Sequence, residues 1–162
     1  MKIEILKDSI LNIEVDAIVN AANSYGYMGG GVAGVIKRAA GNAPEEEAVK
    51  KGPTPVGKAC FTTPGRLSYT GIIHAPTMKE PAMKIPSENI YKATKASLEL
   101  AEKQGLKSIA IPGMGTGVGG VPCKEAAMKM LQAIQEFKGK NLERVVLVDV
   151  DEEMVEEWEK AI

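Results

Sequence analysis

Two glycine clusters offer chemistry in this chain. Gly29, Gly30 and Gly31 follow the run Asn20, Ala21, Ala22, Asn23, and a second cluster holds Gly113, Gly115, Gly117, Gly119 and Gly120. Glycine loses more conformational freedom on ordering than any other residue, so such density needs a reason: backbone close to a ligand, or positive φ. Successive free N–H groups at the start of a helix point one way, and with the helix dipole they attract an anion without any Lys or Arg. Two such loops would suit two linked phosphates. Tight connections with no ligand are the competing explanation, and residue types alone leave both open.

Other chemistry is sparse. Gly115, Gly117 and Gly120 satisfy GxGxxG, and Asp149 ends a later strand. That fingerprint, however, belongs at the first strand-to-helix turn of a dinucleotide-binding half, and here only one strand follows it. No GxxxxGK[ST] phosphate loop is present. His74 is the single histidine and sits in an apolar strand-like run without a Ser, Cys or Asp placed to complete a triad, so it reads as a structural imidazole. Cys60 and Cys123 lack CxxC or metal spacing and read as reduced, partly buried thiols. Neither a metal site nor a cofactor is expected.

The elements that must position the loops can be read from periodicity. Residues 2–6 alternate as a half-buried strand, and residues 16–22 form a short apolar run of strand length. Val32, Val35, Ile36, Ala39 and Ala40 recur at helical spacing, and Gly41 stops that helix. Strands are expected at 58–63 and 71–75 as an adjacent pair. A three-proline connection follows, then a helix capped by Ser87 and ended by Gly105, with Ile90, Ala93, Ala96 or Ser97, and Leu100 facing the core. A strand from Ser108, the second glycine loop, a helix over 124–137, a strand over 144–150 and a terminal helix over 152–161 complete the chain. Helices alternating with apolar strands predict a three-layer α/β/α sandwich on a mixed, largely parallel central sheet. Residues 1–162 read as one domain.

Twenty Lys and Arg against 21 Asp and Glu give a net charge of −1, which opposes a nucleic-acid partner. The absence of a long apolar run opposes a membrane span, and the expected location is the cytoplasm.

The segments DAIVNAAN (16–23), GGGVAGVIKRAAG (29–41) and IPGMGTGVGG (111–120) together resemble the macrodomain family, whose members bind ADP-ribose. The resemblance implies that Asp8 accepts a hydrogen bond from the adenine amino group and that Ser9 donates its backbone amide to the base. It places Asn23 on the distal ribose hydroxyls, with both a donor and an acceptor to offer. Gly29, Gly30, Gly31 and Val32 would wrap that ribose, and Gly115, Thr116, Gly117, Val118 and Gly119 would turn amides to the diphosphate. Ala21 and Val150 complete the expected pocket, and Tyr25, Tyr27 and Met28 could shape its rim. Asn20 is expected to tie loops together from within.

Three departures from family patterns bear on activity. Ala33 stands where one hydrolase branch carries a catalytic Asp, although branches that share GGGVA still cleave ADP-ribose from acidic side chains. Gly119 replaces a common aromatic beside the distal ribose, which would leave that end more open. Val150 replaces a common aromatic on adenine, and such stacking is worth on the order of 1 kcal/mol. The resemblance therefore implies hydrolysis of mono-ADP-ribosyl protein, O-acetyl-ADP-ribose or ADP-ribose 1''-phosphate, with Asn23, Gly30 and Gly31 holding the ribose for attack by water. The alternatives are a reader of free or protein-linked ADP-ribose without turnover and, on weaker grounds, a nucleotide- or nucleic-acid-binding protein. Partners would be ADP-ribose or a derivative and ADP-ribosylated proteins.

Overall fold

The computed structural model describes residues 1–162. Six strands form one sheet: β1 (Lys2–Lys7), β2 (Ala17–Asn23), β3 (Cys60–Thr62), β4 (Gly71–Met78), β5 (Ser108–Ile111) and β6 (Arg144–Asp149), in spatial order β1-β6-β5-β2-β4-β3. All neighbours run parallel except the β3–β4 pair. Five helices flank it: α1 (Gly31–Ala40), α2 (Ala43–Lys51), α3 (Glu88–Lys103), α4 (Cys123–Glu136) and α5 (Glu152–Ala161). The mixed, mostly parallel α/β architecture is the one the sequence predicts. No helix is long and apolar enough to cross a membrane.

Strand alternation divides the core in two. Val19, Ile73, Ile109, Val145 and Leu147 face the larger cluster, which takes in residues of α3, α4 and α5, Trp158 among them. Ile18, Ile72, Ala110, Val146 and Val148 face the smaller cluster under α1, with Ile36, Ala40 and Met28. Central strands buried on both faces explain why β5 and β6 read as unbroken apolar runs. β2 and β5 are neighbours, yet the chain leaves β2 toward β4 and leaves β5 toward β6. Where connections part in this way, a crevice opens beyond the carboxyl ends of the strands. The loops on its two sides are the two glycine clusters.

Several local expectations change. Residues 43–51 form α2, a helix absent from the elements expected on periodicity. Ser87 occupies the N-cap position of α3 in helical backbone and makes no side-chain cap bond. Leu100 is only half-buried, whereas Leu98 and Ala101 are enclosed. Val35 is exposed instead of facing the core, because the buried stripe of α1 runs through Ala33, Ile36 and Ala40.

Candidate functional site

The crevice holds two cavities. The first, about 500 Å³, is lined by Ala21, Ala22 and Asn23 from the end of β2, by Tyr27 and Gly29–Ala33 from the first loop and α1, and by Gly115, Gly117, Val118 and Gly119 from the second loop. Thr77, Met78, Pro81 and Ala82 close it from β4 and the connection to α3. The second, about 440 Å³, is lined by Asp8, Ser9, Ile10, Val35, Val148, Asp149 and Val150. Gly31, Val32 and Gly117 line both, so the two form one elongated cleft with the glycine loops at its waist.

The waist presents bare amides. The N–H groups of Gly31, Val32 and Ala33, at the start of α1, have no hydrogen-bond partner in the chain, as the first turn of a helix requires. In the second loop the N–H groups of Gly115 through Gly119 are likewise unpaired, while Gly113 N–H is held by Asp149 Oδ2 at 3.0 Å. No Lys or Arg lines either cavity, and Asp8 and Asp149 are the only charged residues there.

The glycines themselves divide into two kinds. A Cβ on Gly29, Gly30 or Gly117 would meet no atom within 4 Å, so nothing in the protein demands glycine there. A Cβ on Gly119 would stand 2.6 Å from the Gly115 carbonyl oxygen, so glycine is needed for the loop to fold. In this loop conformation no side chain fits at position 119. Pro81 and Ala82, from the β4–α3 connection, line the same cavity as Gly119.

Asn23 lies at the rim with its amide already partly used. Its Oδ1 accepts from Tyr25 N–H (3.1 Å) and Gly26 N–H (3.0 Å), and its Nδ2 donates to the Tyr27 carbonyl (2.9 Å). One N–H remains to offer, so the expected paired donor and acceptor reduces to a donor. Asp8 Oδ1 accepts from Ser9 N–H (2.7 Å) and Asn12 Nδ2 (2.8 Å), which engages the Ser9 amide assigned to the base. Thr116 lines neither cavity. Tyr27 lines the first cavity, but Met28 is enclosed beneath α1, its N–H held by Glu45 Oε2 at 2.6 Å. The Val35 side of the second cavity was missed because a helical stripe was read as wholly core-facing.

Asn20 ties strands and not loops. It is fully buried on β2, and its Nδ2 lies 3.2 Å from His74 Nδ1 on β4, while His74 Nε2 lies 2.8 Å from Thr62 Oγ1 on β3. Burial lowers the His74 pKa to about 4, against a smaller opposing effect of Glu47, so the ring is neutral and structural. Cys123, Asp151 and Glu153 place potential metal-ligating atoms within 4.8 Å of one another. Burial and then the nearby carboxylates of Glu153 and Asp151 raise the thiol to about 11, which keeps it protonated at neutral pH. No Asp, Glu, His, Lys or Cys lines the first cavity.

Comparison with known proteins supplies the family. The model described as Macro domain matches residues 19–130. A protein of Aquifex aeolicus is 58% identical over 162 residues, covering 100% of this chain and 98% of that one. Among solved structures, the Trypanosoma brucei macrodomain in complex with ADP-ribose is 28% identical with a TM-score of 0.86, over 98% of this chain and 68% of that one. An Oceanobacillus iheyensis macrodomain mutant solved with ADPR gives the same identity and TM-score, over 98% of this chain and 90% of that one.

Proposed function

Because the chain belongs to the macrodomain family, we propose that the cleft binds ADP-ribose, with residues 1–162 acting as a single macrodomain. Adenine would lie in the second cavity near Asp8, Val35 and Val150, the diphosphate across the bare amides at the waist, and the distal ribose in the first cavity beside Asn23. The observation that carries this is the emptiness around Gly29, Gly30 and Gly117, combined with the unpaired N–H groups beside them. Glycine that is neither crowded nor held at positive φ is explained by backbone that a ligand must touch. Preorganised dipoles of this kind bind developing or fixed negative charge with little reorganisation.

We further propose hydrolysis of the bond joining the distal ribose to an acidic side chain, an acetyl group or a phosphate. Water supplies the hydroxyl and the proton, and the products are ADP-ribose and the free acid. With no carboxylate, imidazole, amine or thiol lining the first cavity, the rate comes from positioning by Asn23, Gly30 and Gly31, and the enzyme is slow. The same absence favours a second reading, a reader that binds ADP-ribose without turnover. The structural relatives were solved with ADP-ribose, which supports binding under both readings. The unpaired cysteines fit action in the cytoplasm.

Release of ADP-ribose from a glutamate-modified protein separates the two. Hydrolysis requires release by wild type that is lost in Gly117→Glu, and intact binding without release selects the reader.

A further inference from the structure

A diphosphate brings two negative charges to a cleft whose lining offers no cation. A cation nevertheless stands just outside that lining. Lys84, in the connection between β4 and α3, lies over Gly120 of the second glycine loop. Its Cδ and Nζ stand 2.9 and 3.0 Å from the point a Cβ on Gly120 would occupy. The next residue fixes this placement: Ile85 N–H donates to the Gly119 carbonyl at 3.1 Å, and Ile85 Cδ1 lies 3.0 Å from the corresponding point on Gly115. Upstream, Pro81 and Ala82 of the same connection already line the first cavity.

Lys84 is exposed and makes no ion pair. Its charge is therefore uncompensated by the protein, at the edge of a loop whose own N–H groups are free. An uncompensated ammonium acts on an anion over a distance comparable to the Debye length, about 10 Å at 0.1 M salt. It raises both the local ligand concentration and the association rate.

We infer that Lys84 supplies the positive charge that makes the second glycine loop select a phosphorylated ligand, acting through the loop and not as part of the cavity wall. This rests on the ADP-ribose assignment above. Lys84 is a specificity-determining residue for ligand charge, and its contribution is electrostatic, so it must fade with salt. A residue that only packed on Gly120 would behave differently, since packing is insensitive to salt.

The test is calorimetric titration of ADP-ribose into wild type, Lys84→Met and Lys84→Arg at about 25 mM and about 300 mM salt. Lys84→Met keeps the aliphatic stem over Gly120 and removes only the charge. The expected result is a loss of about three- to tenfold in affinity for Lys84→Met at low salt, shrinking toward none at high salt, with Lys84→Arg close to wild type. Equal affinity of Lys84→Met and wild type at low salt would overturn the inference, as would a loss of the same size at both salts. If wild type itself does not bind ADP-ribose, the assignment of the cleft fails and this inference falls with it. If wild type binds and Lys84→Met is unchanged, only the role of Lys84 is lost.

Discussion

Asn20 donates its side-chain amide to His74 Nδ1 across the β2–β4 boundary, 3.2 Å away and wholly shielded from solvent. The direction follows from the other end of the ring. The Thr62 hydroxyl donates to the Thr63 carbonyl (3.2 Å), so it must accept from His74 Nε2–H, which leaves Nδ1 as the acceptor. The strand that ends in Asn23 is thereby bonded by side chains to its neighbour. Only Asn20 Oδ1 in this group lacks a partner.

His74 makes stability pH-dependent. Its pKa is held near 4 in the folded protein against 6.5 unfolded, so between those values the unfolded chain binds more protons. The stabilisation is complete above about 6.5 and is lost progressively as pH falls toward 4. Between pH 7 and 5 urea unfolding should show a loss of about 2 kcal/mol. His74→Gln should remove most of that slope; an unchanged slope would place its origin elsewhere.

Two glycines of one loop should respond oppositely to alanine. Gly117→Ala fills open space, so the melting temperature should stay close to wild type while ADP-ribose affinity falls by at least about tenfold, about 1.4 kcal/mol. Gly119→Ala forces a Cβ against the Gly115 carbonyl and should cost roughly 1–3 kcal/mol of stability. Denaturation and calorimetry on the pair check this, and a large stability loss in Gly117→Ala would return that glycine to a packing role.

Asn23→Asp tests the distal ribose donor, at the cost of the Nδ2 bond to the Tyr27 carbonyl. The carboxylate can still accept from Tyr25 and Gly26 N–H, but it has no N–H to offer a ligand. Affinity for ADP-ribose should fall by about tenfold, in line with one hydrogen bond, while affinity for ADP changes little. Equal losses for both ligands would mean that Asn23 shapes the loop and does not touch the ribose.

Ala33→Asp places a carboxylate in the first cavity, in the first turn of α1, where the dipole favours it. If water is already positioned there, release of ADP-ribose from a modified glutamate should accelerate by at least about tenfold over wild type. Single-turnover kinetics measure it. No acceleration, with the ligand still bound, would mean that the attacking water lies beyond reach of position 33.

The parallel core was legible because central strands must be apolar on both faces, as Ala110 and Ile111 on β5 and Val146 and Leu147 on β6 are. The α2 segment was missed for the converse reason: it buries only Pro44 and Ala48, too few for a periodic stripe. Its dipole signals were nonetheless present, with Glu45 and Glu46 in the first turn and Lys50 and Lys51 in the last. At the cleft, loop residues adjacent in sequence could be placed together. Pro81 and Ala82 could not, because no periodicity or spacing links the β4–α3 connection to a loop some 30 residues later. The engagement of the Asn23 and Ser9 groups was equally hidden, since it depends on which neighbouring atoms compete for them.

The most direct test of the cleft assignment is parallel calorimetric titration of ADP-ribose, ADP and AMP into the wild-type protein. Binding across both cavities predicts the order ADP-ribose, ADP, AMP, with ADP-ribose tighter than ADP by at least about tenfold through its distal ribose. ADP-ribose bound no more tightly than ADP would contradict it, and would remove Asn23 and the first glycine loop from the ligand's path.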